Sequence, residues 1–360
     1  MNIEIKHLLI ASLLLVSCSN GNTNSPSKKD SAPSPKPIYM IRIDKPIGGF
    51  TVTRGEIVNV TFALTDTIKP DSIILRVNGK SRGLVGNLKA ETKTSDLPLG
   101  SNKIGATAWY NGQRQTAEIN IIVKSDITPK TFTYKVIKEY PHDPKAYTQG
   151  LFISNNILYE GTGQPGASSL RKVNLQTGKV IQSINISDEY FGEGIALING
   201  EIFQLTWTSG IGFVYNAENF SRLHSFNYNT QGWGLTTDGN LLIMSDGSNV
   251  VHFMEPQGFS EVKRIEVYDS NGPVKMLNEL EYINGKIYAN VYLTDKIVII
   301  DPTSGAVVGN INMAGLLKQA DRTGNEDVLN GIAYNPDNGK IYLTGKYWPK
   351  LFEVKFIERK

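Results

Sequence analysis

The sequence predicts an all-β protein in which a five-bladed β-propeller follows an immunoglobulin-like β-sandwich. β-Branched residues and turn residues are common, and no long segment repeats apolar residues at helical spacing. A hairpin pattern recurs five times after residue 146, and short alternating segments separated by turns fill residues 38–125. We therefore expect strands from about residue 38 to the C-terminus.

The hairpin pattern is clearest in residues 191–207, FGEGIALINGEIFQLTW. Asn199-Gly200 forms a tight turn between two alternating strands. The five hairpins begin at Tyr147, Phe191, Gly232, Leu277 and Leu329. Successive starts are 44, 41, 45 and 52 residues apart, and a repeat of about 40–50 residues is typical of propeller blades.

The last blade needs a strand from the N-terminal side of the repeats. After the fifth hairpin the chain is slightly too short for a full blade, since only residues 351–357 read as a further strand. We expect residues 131–140, TFTYKVIKEY, to complete that blade and to protect its edge.

The N-terminal region predicts export and a lipid anchor. Lys6 and His7 precede an apolar run that ends in Leu15-Val16-Ser17-Cys18, and the chain has no other cysteine. We interpret residues 1–18 as a lipoprotein signal peptide with lipidation at Cys18; the alternative is an ordinary cleaved signal. The run is too short to remain as a spanning helix. We expect anchorage in the bacterial cell envelope, facing the periplasm rather than the cell surface.

The domain boundaries follow from composition. Residues 19–37 are rich in Ser, Pro, Asn and Lys and predict a flexible tether. Residues 38–125 predict the sandwich, as a spacer or dock, and residues 126–360 the propeller with the catalytic residues. The net charge is +3, from 37 Lys and Arg against 34 Asp and Glu, and no basic run is interleaved with aromatics. This excludes nucleic acid as a partner, and we expect a monomer.

Equivalent positions of the five hairpins carry different side chains. The innermost strands of propeller blades line the central channel, so these positions converge. The residues before the Gly-Leu or Gly-Ile step are Gln149, Glu193, Trp233, Asn278 and Asn330, with Glu279 in place of the fourth glycine. The matching positions on the second strands are Gly163, Trp207, Gly247, Tyr292 and Lys346. A repeat with only a structural role would tolerate one residue type, so this diversity indicates a site.

The residue types at these positions suit acid–base chemistry. A carboxylate such as Glu193 in a dry pocket has a raised pKa and can move a proton near neutral pH. Lys346 and a carboxamide can stabilise an oxyanion. Trp207 and Trp233 offer apolar walls and π-faces for a cationic amine.

Structural interpretations of the same residues stay open at this point. Glu193 and Lys346 could form an ion pair across the channel, and Trp233 could be part of the core. The three carboxamides could hold water or a calcium ion through their oxygens; they are Gln149, Asn278 and Asn330.

Ten short segments resemble the plant-type glutaminyl cyclases, also called glutaminyl-peptide cyclotransferases. They are YTQGL, YEGTG, GEGIA, QLTW, GWGL, SDGS, NELEYING, LTD, LNGIAY and TGKYWP. The resemblance runs from about Tyr134 to the C-terminus and touches all five repeats in order. It implies an enzyme that converts the N-terminal glutamine of peptides or proteins into pyroglutamate with release of ammonia.

The resemblance also implies roles for individual residues. Glu193 would be the proton shuttle, while Asn278 and Lys346 would polarise the γ-carbonyl. The substrate would be bound by Gln149, Trp207, Trp233, Tyr292, Tyr147 and Asn330. Tyr292 departs from the tryptophan of relatives, and Tyr147 stands where an aromatic residue, often phenylalanine, is usual. Both residues keep the wall aromatic and add a hydroxyl group to it.

The chemistry requires no cofactor, because an amine and an amide of one residue close a five-membered ring. His142, His224 and His252 are scattered without metal-ligand spacing, so we predict no catalytic metal. The resemblance allows a structural calcium or zinc ion in the channel. Two alternatives are a calcium-dependent propeller hydrolase such as a lactonase, which would need several channel carboxylates, and a non-catalytic ligand-binding propeller lipoprotein.

Overall fold

The computed structural model describes residues 40–65 and 68–359. Their regular structure is β-strand apart from one short 3-10 helix, Gln319–Asp321, which confirms the all-β prediction. No helix in this part of the chain has the length and apolar character needed to cross a membrane. The predicted signal peptide, the lipidation site Cys18 and the tether over residues 19–37 lie outside the described residues.

The first eight strands form two sheets. They are β1 (Ile41–Lys45), β2 (Phe50–Thr53), β3 (Ile57–Leu64), β4 (Ser72–Val77), β5 (Lys80–Leu84), β6 (Lys89–Lys93), β7 (Gly100–Tyr110) and β8 (Gln113–Lys124). One sheet has the order β1-β3-β6 and the other β2-β8-β7-β4-β5. Alternate residues of β4 are buried, as expected for a strand with one face on a core. Both sheets share one hydrophobic core, which also includes Tyr268 and Ala306 from the later part of the chain.

The remaining strands include antiparallel hairpins at all five predicted places. They are β9 (Lys130–Pro141), β10 (Thr148–Ser154), β11 (Ile157–Thr162), β12 (Ser169–Asn174), β13 (Val180–Asn185), β14 (Gly192–Ile198), β15 (Glu201–Thr206), β16 (Ile211–Asn216), β17 (Arg222–Asn227), β18 (Leu235–Thr237), β19 (Leu242–Ser245), β20 (Val250–Met254), β21 (Glu261–Glu266), β22 (Leu277–Ile283), β23 (Lys286–Val291), β24 (Lys296–Ile300), β25 (Val307–Asn312), β26 (Leu329–Asn335), β27 (Lys340–Gly345) and β28 (Lys350–Glu358). Strands β10–β13, β14–β17 and β18–β21 form three four-stranded sheets.

Strand β9 pairs with the last strand of the chain. It runs antiparallel to β28 from Phe132 opposite Glu358 to Pro141 opposite Lys350. This pairing confirms the prediction that residues 131–140 complete the C-terminal set of strands. The N-terminal end of β9 also pairs in parallel with β25, with Phe132 opposite Ile311. The sequence did not predict this second pairing. Through β9 it joins strands β22–β25 and β26–β28 into one eight-stranded sheet.

The first strands of neighbouring hairpins approach each other closely. A Cβ atom added to Gly150 would lie 2.5 Å from the backbone nitrogen of Ile195. A Cβ at Gly194 would lie 2.4 Å from the backbone nitrogen of Leu235. These distances are shorter than a side chain can occupy, so glycine allows backbone to lie directly against backbone.

The fourth hairpin carries Glu279 where the others have glycine. The Glu279 carboxylate accepts the backbone N–H of Leu151 at 3.2 Å and that of Ile332 at 2.8 Å. It therefore links β22 to β10 and β26. β26 in turn meets β10, where the Asn330 amide donates to the carbonyl oxygen of Thr148 at 3.0 Å.

A buried ion pair links the sheet β10–β13 to the chain around β9, β27 and β28. His142 Nε2 lies 2.9 Å from the Glu160 carboxylate, and both side chains are 1% exposed. His142 Nδ1 donates to the carbonyl oxygen of Trp348 at 2.7 Å, and the Thr148 hydroxyl donates to Glu160. Burial opposes ionisation of both groups, but their mutual attraction outweighs it, raising the pKa of His142 and lowering the pKa of Glu160.

We expect Glu160→Gln to lower the free energy of unfolding by about 3–5 kcal/mol, because it leaves a buried cation without its counter-charge. Denaturant unfolding at neutral pH measures the change. The matched control is Glu358→Gln, which removes the partner of Lys130 in an exposed pair between β28 and β9. This control should change stability by no more than about 1 kcal/mol. Equal stability of the two variants would contradict the role assigned to the buried pair.

Candidate functional site

A cavity of about 140 Å³ lies where the inner strands begin. Its walls are formed by Tyr147, Gln149, Phe191, Glu193, Trp207, Trp233, Asn278, Tyr292 and Lys346. Seven of these nine residues were predicted from the repeat positions, and an eighth, Tyr147, from the family resemblance. Of the predicted residues only Asn330 is absent from the wall, and it lies behind it, where its amide donates to Gln149 Oε1 at 3.2 Å.

Local irregularities in the hairpins place these side chains in the cavity. In four of the five hairpins the pairing register shifts at the same place, which is the residue before the Gly-Leu, Gly-Ile or Glu-Leu step. Each irregularity includes one of the predicted polar residues, which are Gln149, Glu193, Asn278 and Asn330. A β-bulge redirects a side chain away from the regular alternation of a strand. The bulges therefore turn Gln149, Glu193 and Asn278 toward the cavity, whereas Asn330 stays behind its wall.

Glu193 is a buried carboxylate with one oxygen engaged. Its side chain belongs to a residue that is 4% exposed, and Oε1 accepts a hydrogen bond from Gln149 Nε2 at 3.0 Å. Within the described residues Oε2 has no hydrogen-bond partner. Burial raises the pKa of Glu193 well above its usual value, and the charge of Lys346 offsets only part of this effect. The free oxygen and the raised pKa suit a group that accepts and returns a proton.

Lys346 is a buried cation held by aromatic faces. Its Nζ lies 4.6 Å from the ring centroid of Tyr147 and 4.8 Å from that of Tyr292. In the described part of the chain no direct salt bridge joins Lys346 to Glu193, although the charge of each shifts the pKa of the other. Burial lowers the pKa of Lys346, against the opposing charges of Glu193 and Asp327.

The indole rings form one side of the cavity. The Nε1 atoms of Trp207 and Trp233 both donate to Gln231 Oε1, at 2.9 and 3.0 Å. Trp233 meets Tyr292 edge to face, with ring centroids 5.5 Å apart. A Cβ on Gly247 would lie 2.6 Å from the Trp233 ring, so the small residue at this repeat position makes room for the indole. Trp233 is therefore a wall of the cavity.

Three residues at the cavity were missed in the sequence. Phe191 and Gln231 stand two positions before Glu193 and Trp233, as Tyr147 stands two positions before Gln149. Alignment of the positions two residues before each inner residue could therefore have identified Phe191 and Gln231 from the sequence.

The third residue, Asp327, lies in the loop before β26 and has no periodic signal. Its carboxylate accepts the Tyr147 hydroxyl at 3.2 Å, and its backbone N–H donates to the carbonyl oxygen of Lys346 at 3.0 Å. Burial and the Asp327 charge raise the pKa of Tyr147. Asp327 therefore adds a second negative charge close to Lys346.

Side chains that commonly bind metal ions are few around the cavity. Among the described residues, no group of three or more His, Cys, Asp and Glu side chains is arranged to hold a metal ion. Glu193 is the one carboxylate on the cavity wall. Asp246 is engaged by His252 at 3.2 Å, and Glu279 by backbone N–H groups. The several channel carboxylates that a calcium-dependent hydrolase would need are therefore not gathered here.

Comparisons with known proteins identify the family of this chain. The family model described as glutamine cyclotransferase matches residues 108–356. Glutaminyl-peptide cyclotransferase of Arabidopsis thaliana is 42% identical over 236 residues, which cover 64% of this chain and 73% of that protein. The crystal structure of Myxococcus xanthus glutaminyl cyclase matches with a TM-score of 0.61 and 37% identity, over 65% of this chain and 100% of that one. The chain therefore belongs to the glutamine cyclotransferase family, which confirms the sequence resemblance and the predicted enzyme, a glutaminyl-peptide cyclotransferase.

Proposed function

We propose that the cavity around Glu193 converts the N-terminal glutamine of peptides and proteins into pyroglutamate and releases ammonia. The observation that carries the proposal is the pairing of a buried, singly engaged carboxylate with a buried, unpaired lysine in one aromatic cavity. Such a site offers a proton acceptor and a positive charge on side chains that are largely removed from bulk solvent.

The reaction proceeds in two steps that share one proton carrier. The α-amine nitrogen of the substrate attacks its own γ-carboxamide carbon, and a C–N bond forms as Glu193 takes a proton from that nitrogen. Asn278 and Lys346 stabilise the negative charge on the former carbonyl oxygen. Glu193 then gives the proton to the amide nitrogen, the original C–N bond breaks, and ammonia leaves. Gln149 orients the carboxylate through its hydrogen bond.

The size of the cavity limits what enters it. Its volume of about 140 Å³ is below the 300–1,000 Å³ of pockets that enclose drug-sized ligands. It accommodates one terminal residue, and the following residues of the peptide remain outside. Tyr147, Trp207, Trp233 and Tyr292 enclose the glutaminyl side chain and exclude water, while Asn330 supports Gln149 from behind.

The proposed reaction uses no cofactor, because ring closure needs only positioning and proton transfer. A cation with a purely structural role could still bind in the channel. The buried Oδ1 atoms of Asn278 and Asn330 have no hydrogen-bond partner among the described residues. Oxygen donors of this kind fit calcium better than zinc, which prefers nitrogen and sulfur. Bound there, calcium would neutralise neighbouring dipoles and stiffen the channel.

The sheets are best interpreted as a five-bladed propeller behind an immunoglobulin-like sandwich. Close backbone contacts between successive inner strands, the contact of β26 with β10 and the pairing of β9 with β28 support the propeller. Two sheets around a common core support the sandwich. We assign the sandwich to residues 38–125 and the propeller to residues 126–360.

The proposal extends to location. The lipobox-like sequence before Cys18 supports a lipid anchor that follows an 18-residue signal peptide, with residues 19–37 as the tether. The enzyme would then act as a monomer in the bacterial cell envelope, facing the periplasm, where exported proteins expose their N-termini.

We expect Glu193→Gln to lower kcat for ammonia release from a glutaminyl dipeptide by about 100- to 10,000-fold, because the proton carrier is lost. The matched control is Glu201→Gln, which changes a carboxylate on the same hairpin away from the cavity and should leave the rate unchanged. Activity of the unmodified protein should survive EDTA. Loss of activity on chelation would show that activity depends on a bound metal, and a fully active Glu193→Gln would refute the proposed carrier.

We expect kcat/KM to fall at both low and high pH, because Glu193 and Lys346 both have shifted pKa values. Glu193 acts ionised, so activity falls as the pH drops through its raised pKa, at a higher pH than for an ordinary glutamate. Lys346 acts protonated, so activity falls as the pH rises through its lowered pKa. In Lys346→Met the alkaline limb should disappear. Initial rates across the pH range test this, with the substrate α-amine titrated separately, and an acid limb at an ordinary carboxylate pKa would contradict it.

We expect the full chain, expressed in a bacterium, to incorporate labelled fatty acid and to enter the detergent phase on phase separation. Cys18→Ser should abolish both, whereas Ser25→Ala in the tether should change neither. Retention of the label in Cys18→Ser would contradict lipidation at that residue.

A further inference from the structure

One glutamine side chain joins the two tryptophans of the cavity. Gln231 Oε1 accepts the indole N–H of Trp207 at 2.9 Å and that of Trp233 at 3.0 Å. The two indoles come from different sheets, since Trp207 follows β15 and Trp233 precedes β18. A single acceptor atom therefore fixes the separation of two walls that belong to separate parts of the fold.

The backbone on both sides of Gln231 is itself held in place. On one side the Thr230 hydroxyl donates to Asp246 Oδ2 at 3.0 Å. On the other side the Gly232 N–H donates to the carbonyl oxygen of Trp207 at 2.9 Å. A Cβ at Gly232 would lie 2.7 Å from the carbonyl oxygen of Thr206, so the loop is packed directly on the preceding sheet.

Asp246 is a well-fixed anchor for this loop. Its carboxylate also accepts from Ser248 and contacts His252 Nε2 at 3.2 Å. Partial burial works against ionisation, but the hydrogen bonds from His252 and Ser248 hold the pKa of Asp246 at about 2. The anchor thus stays charged at neutral pH, and the position of Gln231 is set from outside the cavity.

We propose that Gln231 is a positioning residue for the cyclisation, which holds Trp207 and Trp233 at the spacing that encloses the glutaminyl residue of the substrate. The need is greatest at Trp207, because this residue is 41% exposed and its ring packs on Phe191 from one side, with centroids 5.7 Å apart. Ordering the wall in advance lowers the entropy lost on substrate binding. The proposal rests on the proposed cyclotransferase function, and it concerns substrate binding rather than proton transfer.

The test compares two replacements of Gln231. Gln231→Leu has a similar size but no acceptor, whereas Gln231→Glu keeps an acceptor oxygen for both indoles. We expect Gln231→Leu to lower kcat/KM about tenfold, mostly through KM, since two neutral hydrogen bonds are lost. Gln231→Glu should keep KM within about threefold of the unmodified protein at an ionic strength that screens its added charge. The control Gln257→Leu alters an exposed glutamine in the β20–β21 turn and should change nothing.

A second readout follows the indoles directly. The chain has four tryptophans, and acrylamide quenching of their fluorescence should increase in Gln231→Leu and stay unchanged in Gln231→Glu and Gln257→Leu. The proposal is overturned if Gln231→Leu keeps both KM and quenching, or if Gln231→Glu is as impaired as Gln231→Leu. Should the unmodified protein release no ammonia, the proposed function fails, while the quenching comparison still decides whether Gln231 holds the indoles.

Discussion

The direct contact of backbone with backbone between neighbouring inner strands is the constraint on which the site depends. Gly150 and Gly194 leave no space for a Cβ, so the first strands of the hairpins lie as close as the main chain permits. Glu279 replaces this contact in the fourth hairpin by accepting N–H groups from β10 and β26. Because the strands cannot move apart, the bulges at their starts present Glu193 and Asn278 to one small cavity.

Burial is the main cause of the shifted pKa values of Glu193 and Lys346. The attraction between their opposite charges offsets only part of each shift. Glu193 and Lys346 are both almost inaccessible, and removal from water favours the neutral form of each. A direct salt bridge would hold both groups charged and engaged. Aromatic faces around Lys346 and a single amide donor to Glu193 instead leave the reactive atoms free for a substrate. The protein therefore buries Glu193 and Lys346 without joining them in a direct salt bridge.

The sequence predicted the features that have local signals. The Asn199-Gly200 turn and the repeat spacing identify the hairpins, and position within the repeat identifies seven of the nine cavity residues. The parallel pairing of β9 with β25 has no local signal, because it depends on where two distant edges meet. The role of Gln231 depends likewise on a distance between two sheets. The absence of a direct salt bridge between Glu193 and Lys346 follows from rotamers that a pattern does not specify.

The pairing of β9 with β28 also dictates the order in which the molecule can be assembled. Phe132 finds its partner Glu358 only when the last residues of the chain are available. A growing chain can form its local hairpins early and can pair the start of β9 with β25, but the antiparallel partner of β9 is missing until synthesis ends, which makes closure a slow, long-range event. A chain that stops before β28 keeps two open edges, and such edges invite association and proteolysis. An incomplete chain therefore differs from the complete protein in its exposed strand edges, and these mark it for association or degradation.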